Sequence, residues 1–79
     1  MSYRPFVETL VKSVVENPDE IQIDEEQEMG TRTFYVRVSP DDVGKVIGKS
    51  GRVVSAIRCV VSAVAAKSRE KAYVKIVTD

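Results

Sequence analysis

Histidine and tryptophan are absent from this 79-residue chain, cysteine occurs once, and aromatic residues make up only 6%. Each shortage excludes something. Without histidine the chain lacks the commonest general base and the commonest metal ligand. The lone Cys59 can form no internal disulfide, and there is no cysteine cluster to hold zinc. No apolar run is long enough to cross a membrane. The stretch Phe6 to Val15 is broken by Glu8 and Lys12, so it reads neither as a signal peptide nor as a span. Internal repeats, linkers and low-complexity segments are also missing. These absences point to a cytoplasmic, non-catalytic protein that needs no metal or cofactor, no membrane and no small-molecule substrate.

What is present fits one small folded domain spanning residues 1–79. Hydrophobic residues make up 43% and charged residues 30%. The formal net charge is zero, but the charge is segregated. Residues 1–30 set Arg4 and Lys12 against Glu8, Glu16, Asp19, Glu20, Asp24, Glu25, Glu26 and Glu28. Between Gly44 and Lys75 the only acidic residue is Glu70. Surface charge usually means no more than solvation. A polyanion-binding face requires these basic residues to converge in space.

Taken in order, the pattern predicts a helix over 5–16, with Phe6, Val7, Leu10, Val11 and Val14 at helical spacing and Asn17-Pro18 as its stop. A strand over 20–27 alternates Ile21 and Ile23 with polar residues. A Met29-Gly30 hairpin leads to a strand over 32–39, where Phe34, Val36 and Val38 share one face. Ser39-Pro40-Asp41-Asp42 suits the start of a short helix over 40–47. A longer helix over 52–67 turns Val53, Ile57, Val60, Val61 and Val64 inward, and Val54 departs from that stripe. The last strand covers 71–78. The order is α-β-β-α-α-β, an α+β fold with three helices on one face of a three-stranded mixed sheet.

The stretch that stands out is Val46-Ile47-Gly48-Lys49-Ser50-Gly51-Arg52, at the junction of two helices. A tight glycine turn entering a helix exposes backbone N–H groups and suits a phosphate. Lys49 and Arg52 add charge beside it, and Lys45 lies about one turn earlier. A bare Gly-x-x-Gly is more often a structural turn, so its context carries the argument.

That context resembles a KH domain. The family pattern is an apolar pair, Gly-x-x-Gly, and an apolar residue three places on, here Val46-Ile47, Gly48 to Gly51, and Val54. The element order resembles the type II arrangement. The run from Asp42 to Arg52, continued by Ala56-Ile57-Arg58, is similar to the KhpA family of small bacterial KH proteins. Ser50 stands where many relatives carry a longer polar residue. The resemblance implies a groove holding about four nucleotides of single-stranded RNA. Gly48, Lys49, Ser50 and Gly51 would clamp the sugar-phosphate backbone. Lys45, Lys49 and Arg52 would neutralise phosphates, and Arg58 is a further candidate for a phosphate. Val46, Ile47, Val54 and Ile57 would floor the groove. The strand around Phe34 to Arg37 would offer main-chain groups to base edges, and the Met29-Gly30 hairpin would form the opposite lip. The resemblance further implies an RNA chaperone or post-transcriptional regulator in cell elongation and envelope synthesis. It would act as a homodimer or with a second KH protein, KhpB (also called Jag or EloR).

Two rivals stand beside this reading. Gly48-Lys49-Ser50 resembles the end of a nucleotide-binding P-loop, but that motif needs a glycine at 43, where Val43 stands, and a preceding strand. Alternatively, Ala56, Cys59, Ala63 and Ala66 form a small-residue stripe that permits close helix packing, as in a protein-interaction module. Tyr35 and Tyr73 share the sheet face away from the helices, where a cross-strand packing pair is the expectation.

Overall fold

The computed structural model describes residues 3–78; Met1, Ser2 and Asp79 of the expected domain lie outside it. Alternation of apolar residues builds three strands, β1 (Gln22–Glu28), β2 (Thr31–Arg37) and β3 (Lys71–Ile76). They lie in the order β1-β2-β3, with β1 antiparallel and β3 parallel to β2. Ile23 faces Val36 across one pairing, and Phe34 faces Val74 across the other. Met29 and Gly30 both have positive φ (48° and 80°), as a two-residue type I′ hairpin requires.

Three helices cover the apolar face: α1 (Arg4–Lys12), α2 (Val43–Ile47) and α3 (Arg52–Lys67). Their inward residues Val7, Val11, Ile57, Val61 and Ala65 form one core with Ile23, Phe34, Val36, Ala72 and Val74. The stripe on α3 differs from expectation. Val54 and Ala65 are buried, whereas Val60 is 43% exposed. The buried arc is centred nearer Val61 because α2 also packs on α3 and shifts the covered side.

The first helix is shorter than the predicted 5–16. Ser13 caps its end, and the Ser13 hydroxyl donates to the Leu10 carbonyl. Beyond it the chain is drawn toward Asp42. The backbone N–H groups of Glu16 and Asn17 donate to the Asp42 carboxylate at 3.1 and 3.0 Å, and the Asn17 side-chain amide adds a third bond at 3.1 Å. Asp42 is wholly buried. The start expected of a helix over 40–47 is instead a 3-10 turn, Pro40–Asp42, and the Asp42 carboxylate is directed back at the exit of α1. A second unpredicted 3-10 turn, Pro18–Glu20, delays β1 to Gln22.

A polar network closes the end of the core away from α2. Arg32 pairs with Glu70 at 2.9 Å and Glu25 at 3.2 Å, and lies over the Tyr3 ring at 5.1 Å. The Tyr3 hydroxyl donates to Glu70 at 3.1 Å. The Arg4 guanidinium donates to the Ile23 carbonyl, fastening α1 to β1.

The two glycines of the loop are not equivalent. Gly48 has φ 76° and ψ 171°, a region that is essentially glycine-only. A Cβ there would also stand 2.8 Å from both the Cβ and the backbone nitrogen of Val53. Gly51 has φ 74° and ψ 15°, an ordinary left-handed residue with open space around it. Ser50 is left-handed as well, at φ 58°.

Two outcomes follow for stability. Gly48→Ala should lower unfolding free energy by about 3 kcal/mol, through backbone strain plus overpacking. Gly51→Asn should change it by less than about 1 kcal/mol, because asparagine tolerates the left-handed region. Urea denaturation of both variants checks this. For Asp42, burial alone would raise the pKa, but the bonds from Glu16 and Asn17 and the nearby Lys45 outweigh it and hold the group low. A depressed folded pKa contributes stability above the unfolded value of about 3.9, which is lost as pH falls through the folded value. The stability gap between the native protein and Asp42→Asn should therefore be full at neutral pH and shrink below about pH 4. Urea titrations across that range measure it.

Candidate nucleic-acid interface

The loop between α2 and α3 exposes few but well-placed donors. The N–H groups of Gly48, Gly51 and Arg52 donate to the carbonyls of Gly44, Gly48 and Lys49. Those of Lys49 and Ser50 make no such bond among the described residues, and both residues are exposed at the loop's tip. Lys49 and Arg52 are exposed, and neither has a carboxylate partner among the described residues. Lys45 is different. Its ammonium lies 3.8 Å from Asp42 and 3.6 Å from Glu16, so it is already partly neutralised. The loop follows a helix rather than a strand, unlike a P-loop.

The apolar residues named for the groove floor divide by burial. Val46 is fully enclosed and presents no surface to a ligand. Val54 and Ile57 retain 7% and 6% of their surface, and Ile47 is half-buried. Val46 and Val54 lie outside the main apolar cluster, whereas Ile57 belongs to it.

The strand order moves the main-chain side of the site. β2 is central, with β1 on one side and β3 on the other, so the segment Phe34 to Arg37 has no free edge to offer a base. The free edge beside α3 belongs to β3. The Lys71 N–H donates to the Gly30 carbonyl and the Val77 N–H to Val36, so odd-numbered residues face β2. Ala72, Val74 and Ile76 therefore direct their N–H and C=O groups outward. A cleft of about 240 Å³ lies there, lined by Arg58, Ser62, Ala72, Tyr73, Val74 and Lys75. Arg58 Nε donates to the Val74 carbonyl at 2.9 Å, and the Ser62 hydroxyl reaches the Ala72 carbonyl at 3.4 Å. Neither Ser62 nor the β3 edge was anticipated. Arg58 and Ser62 are one turn apart on α3, which is the signal the sequence carried. The Met29-Gly30 hairpin lies at the end where β3 begins, beside Lys71.

A larger hollow of about 520 Å³, lined by Glu20, Arg37, Pro40 and Val43 among others, includes no residue of the glycine loop. On the outer sheet face Tyr35 lies opposite Lys75, whose ammonium is 5.9 Å from the ring, and Tyr73 lies opposite Thr33. The two tyrosines are therefore diagonal neighbours, not a directly facing pair. Tyr35 also donates to Glu26 at 2.9 Å, and Tyr73 is half exposed.

Comparison with known proteins gives the family of the chain. Relatives named "RNA-binding protein KhpA" include one from Clostridium acetobutylicum, 40% identical over 74 residues, covering 94% of this chain and 99% of the relative. One from Oceanobacillus iheyensis is 41% identical over 73 residues, covering 92% and 97%. One from Streptomyces coelicolor is 48% identical over 58 residues, covering 73% of each. No helix among the described residues is long and apolar enough to cross a membrane. The family model described as "KhpA/KhpB, KH domain" matches residues 4–76. That match runs from the first residue of α1 to the last of β3, and the chain belongs to the KhpA/KhpB family of KH domains.

Proposed function

We propose that this protein binds single-stranded RNA without catalysing a reaction on it. The sugar-phosphate backbone is held at Lys49 and Ser50, and bases lie along α3 toward the β3 edge. The carrying observation is the pair of N–H groups at Lys49 and Ser50 that find no partner among the described residues, set beside two cations that no described carboxylate neutralises. Backbone N–H groups and cations together suit phosphate oxygens. The name RNA-binding protein KhpA, carried by the relatives, supports the same ligand.

The exposed face of α3 supports a second part of the reading, self-association. Ala56, Cys59, Val60, Ala63 and Ala66 are exposed on it. Cys59 and Arg58 point about 100° apart around the helix, so pairing through the first leaves the second open. Two weak grooves on one dimer gain avidity. Pairing with KhpB in place of a second copy rests on family resemblance, and the same face could serve it. Work as an RNA chaperone or post-transcriptional regulator in cell elongation and envelope synthesis rests on family resemblance, and a cytoplasmic location accompanies it.

Fluorescence anisotropy with a labelled mixed-sequence RNA tests the groove. Lys49→Asp combined with Ser50→Asp should weaken binding at least about ten-fold with an unchanged circular dichroism spectrum, since charge-assisted bonds contribute about 1.5–3 kcal/mol. With Lys45 engaged by Asp42 and Glu16, Lys49 and Arg52 neutralise about two phosphates, and the log–log salt slope should be about −1.4. Equal binding by the folded variant would make the loop a structural turn. Sedimentation tests the second part: the native protein should dimerise with rising concentration and Ala63→Arg should stay monomeric. A native protein that is monomeric throughout removes it.

A further inference from the structure

The outer face of the sheet, turned away from the helices, carries its own pattern. β3 alternates Lys71, Tyr73 and Lys75 outward with Ala72 and Val74 inward. Tyr73 is half exposed, and no described carboxylate pairs with Lys71 or Lys75. Successive outward residues of a strand stand about 6.7 Å apart. Exposed rings set between cations are what sequence-tolerant single-strand binders use.

Two hollows meet over this strand. One is the cleft of about 240 Å³ on the α3 side of the edge, whose lining includes Tyr73 and Lys75. The other, of about 540 Å³, lies on the outer face against Tyr35, Arg37, Lys75 and Val77. Lys75 is common to both, so the α3–β3 cleft continues over the edge onto the sheet. Tyr35 is held in place there. Its hydroxyl donates to Glu26 at 2.9 Å, and the Lys75 ammonium lies 5.9 Å from its ring. Strand spacing and rise put Tyr35 and Tyr73 about 8 Å apart on the diagonal, a gap that successive nucleotides of an extended strand can bridge. Asp24 closes the far side of the outer hollow and limits what enters. An uncharged base is accepted beside that carboxylate, whereas a phosphate stays over Lys75.

We propose that single-stranded RNA leaving the groove crosses the β3 edge and continues on the outer sheet face. Its bases stack on Tyr73 and then Tyr35, and Lys75 holds the phosphate between them. Every base has a π-face, so this second site lengthens the footprint from about four nucleotides to about six without reading sequence. This inference rests on the α3–β3 side of the molecule being the RNA groove.

The test measures anisotropy with labelled, unstructured cytidine–adenosine repeats of five and ten nucleotides. The pentamer suffices for the groove, and only the decamer reaches Tyr35. Tyr35→Thr should weaken decamer binding about ten-fold and leave pentamer binding unchanged, since one base–aromatic stack is lost. Threonine suits a strand, and thermal melting confirms that the variant folds. Tyr35→Phe keeps the ring without the bond to Glu26 and should retain the native decamer affinity. In the native protein the ring proton signals of Tyr35 and Tyr73 should move upfield on adding decamer, while those of the buried Tyr3 stay in place. Pentamer binding with no effect of Tyr35→Thr on the decamer would sink this inference alone and leave RNA binding standing. Equal weakening of both oligomers by Tyr35→Thr would also overturn it, because the face would then act through the groove. So would a Tyr35→Thr variant that loses self-association but not decamer affinity, which assigns the face to a protein. Absence of binding to either oligomer would remove both this inference and the groove.

Discussion

The parallel pairing of β2 with β3 is the constraint from which the rest of the architecture follows. Parallel neighbours cannot be joined by a tight turn, so the chain must leave one end of the sheet and return to the other. Here the return is made by two helices of very different length. Their junction is the glycine loop, and the longer helix is laid beside the outer strand. The same pairing buries β2 in the middle of the sheet and leaves β3 with one side open. Loop, helix and open strand edge are consequences of a single topological choice.

Two local devices hold that arrangement. At the junction, Gly48 permits a backbone approach to Val53 that any side chain would obstruct, so α3 begins close against the end of α2. At the other end of α2, the buried Asp42 carboxylate collects N–H groups from the segment leaving α1. Its cost in desolvation is offset by three hydrogen bonds, and no described buried side-chain polar atom is left unpaired. The glycine loop is thereby mounted on a short helix that is fixed at both ends.

The layered fold was legible because each strand has one apolar face and each long helix one apolar stripe. What escaped depends on partners distant in sequence. The end of α1 is set by Asp42, some 25 residues away, so local periodicity ran the helix too far. The exchange of Val54 and Val60 between inside and outside turns on where α2 packs, and a stripe of adjacent valines does not specify that. At the candidate site, residue type alone pointed to Gly48. The partial neutralisation of Lys45 by Glu16 was invisible, as was the tie between Arg58 and Val74, because both join segments distant in sequence. The resemblance put the sheet's main-chain contribution on the strand around Phe34 to Arg37, but that strand, with its strong apolar pattern, occupies the centre of the sheet.

The segregation of charge along the sequence acquires a direction once the sheet is assembled. Cross-strand rows run from Glu28 through Thr31 to Lys71, and from Asp24 through Tyr35 to Lys75. One margin of the sheet is therefore negative and the other positive, two strand spacings or about 10 Å apart. That exceeds the Debye length of about 8 Å at physiological salt. A polyanion near β3 is thus largely shielded from the repulsion of β1, although the molecule carries no net charge. At low ionic strength, where the Debye length grows to about 30 Å at 0.01 M, the opposed margins would act as an electric dipole that turns the β3 side toward a polyanion. Neutrality overall and attraction locally are reconciled by orientation.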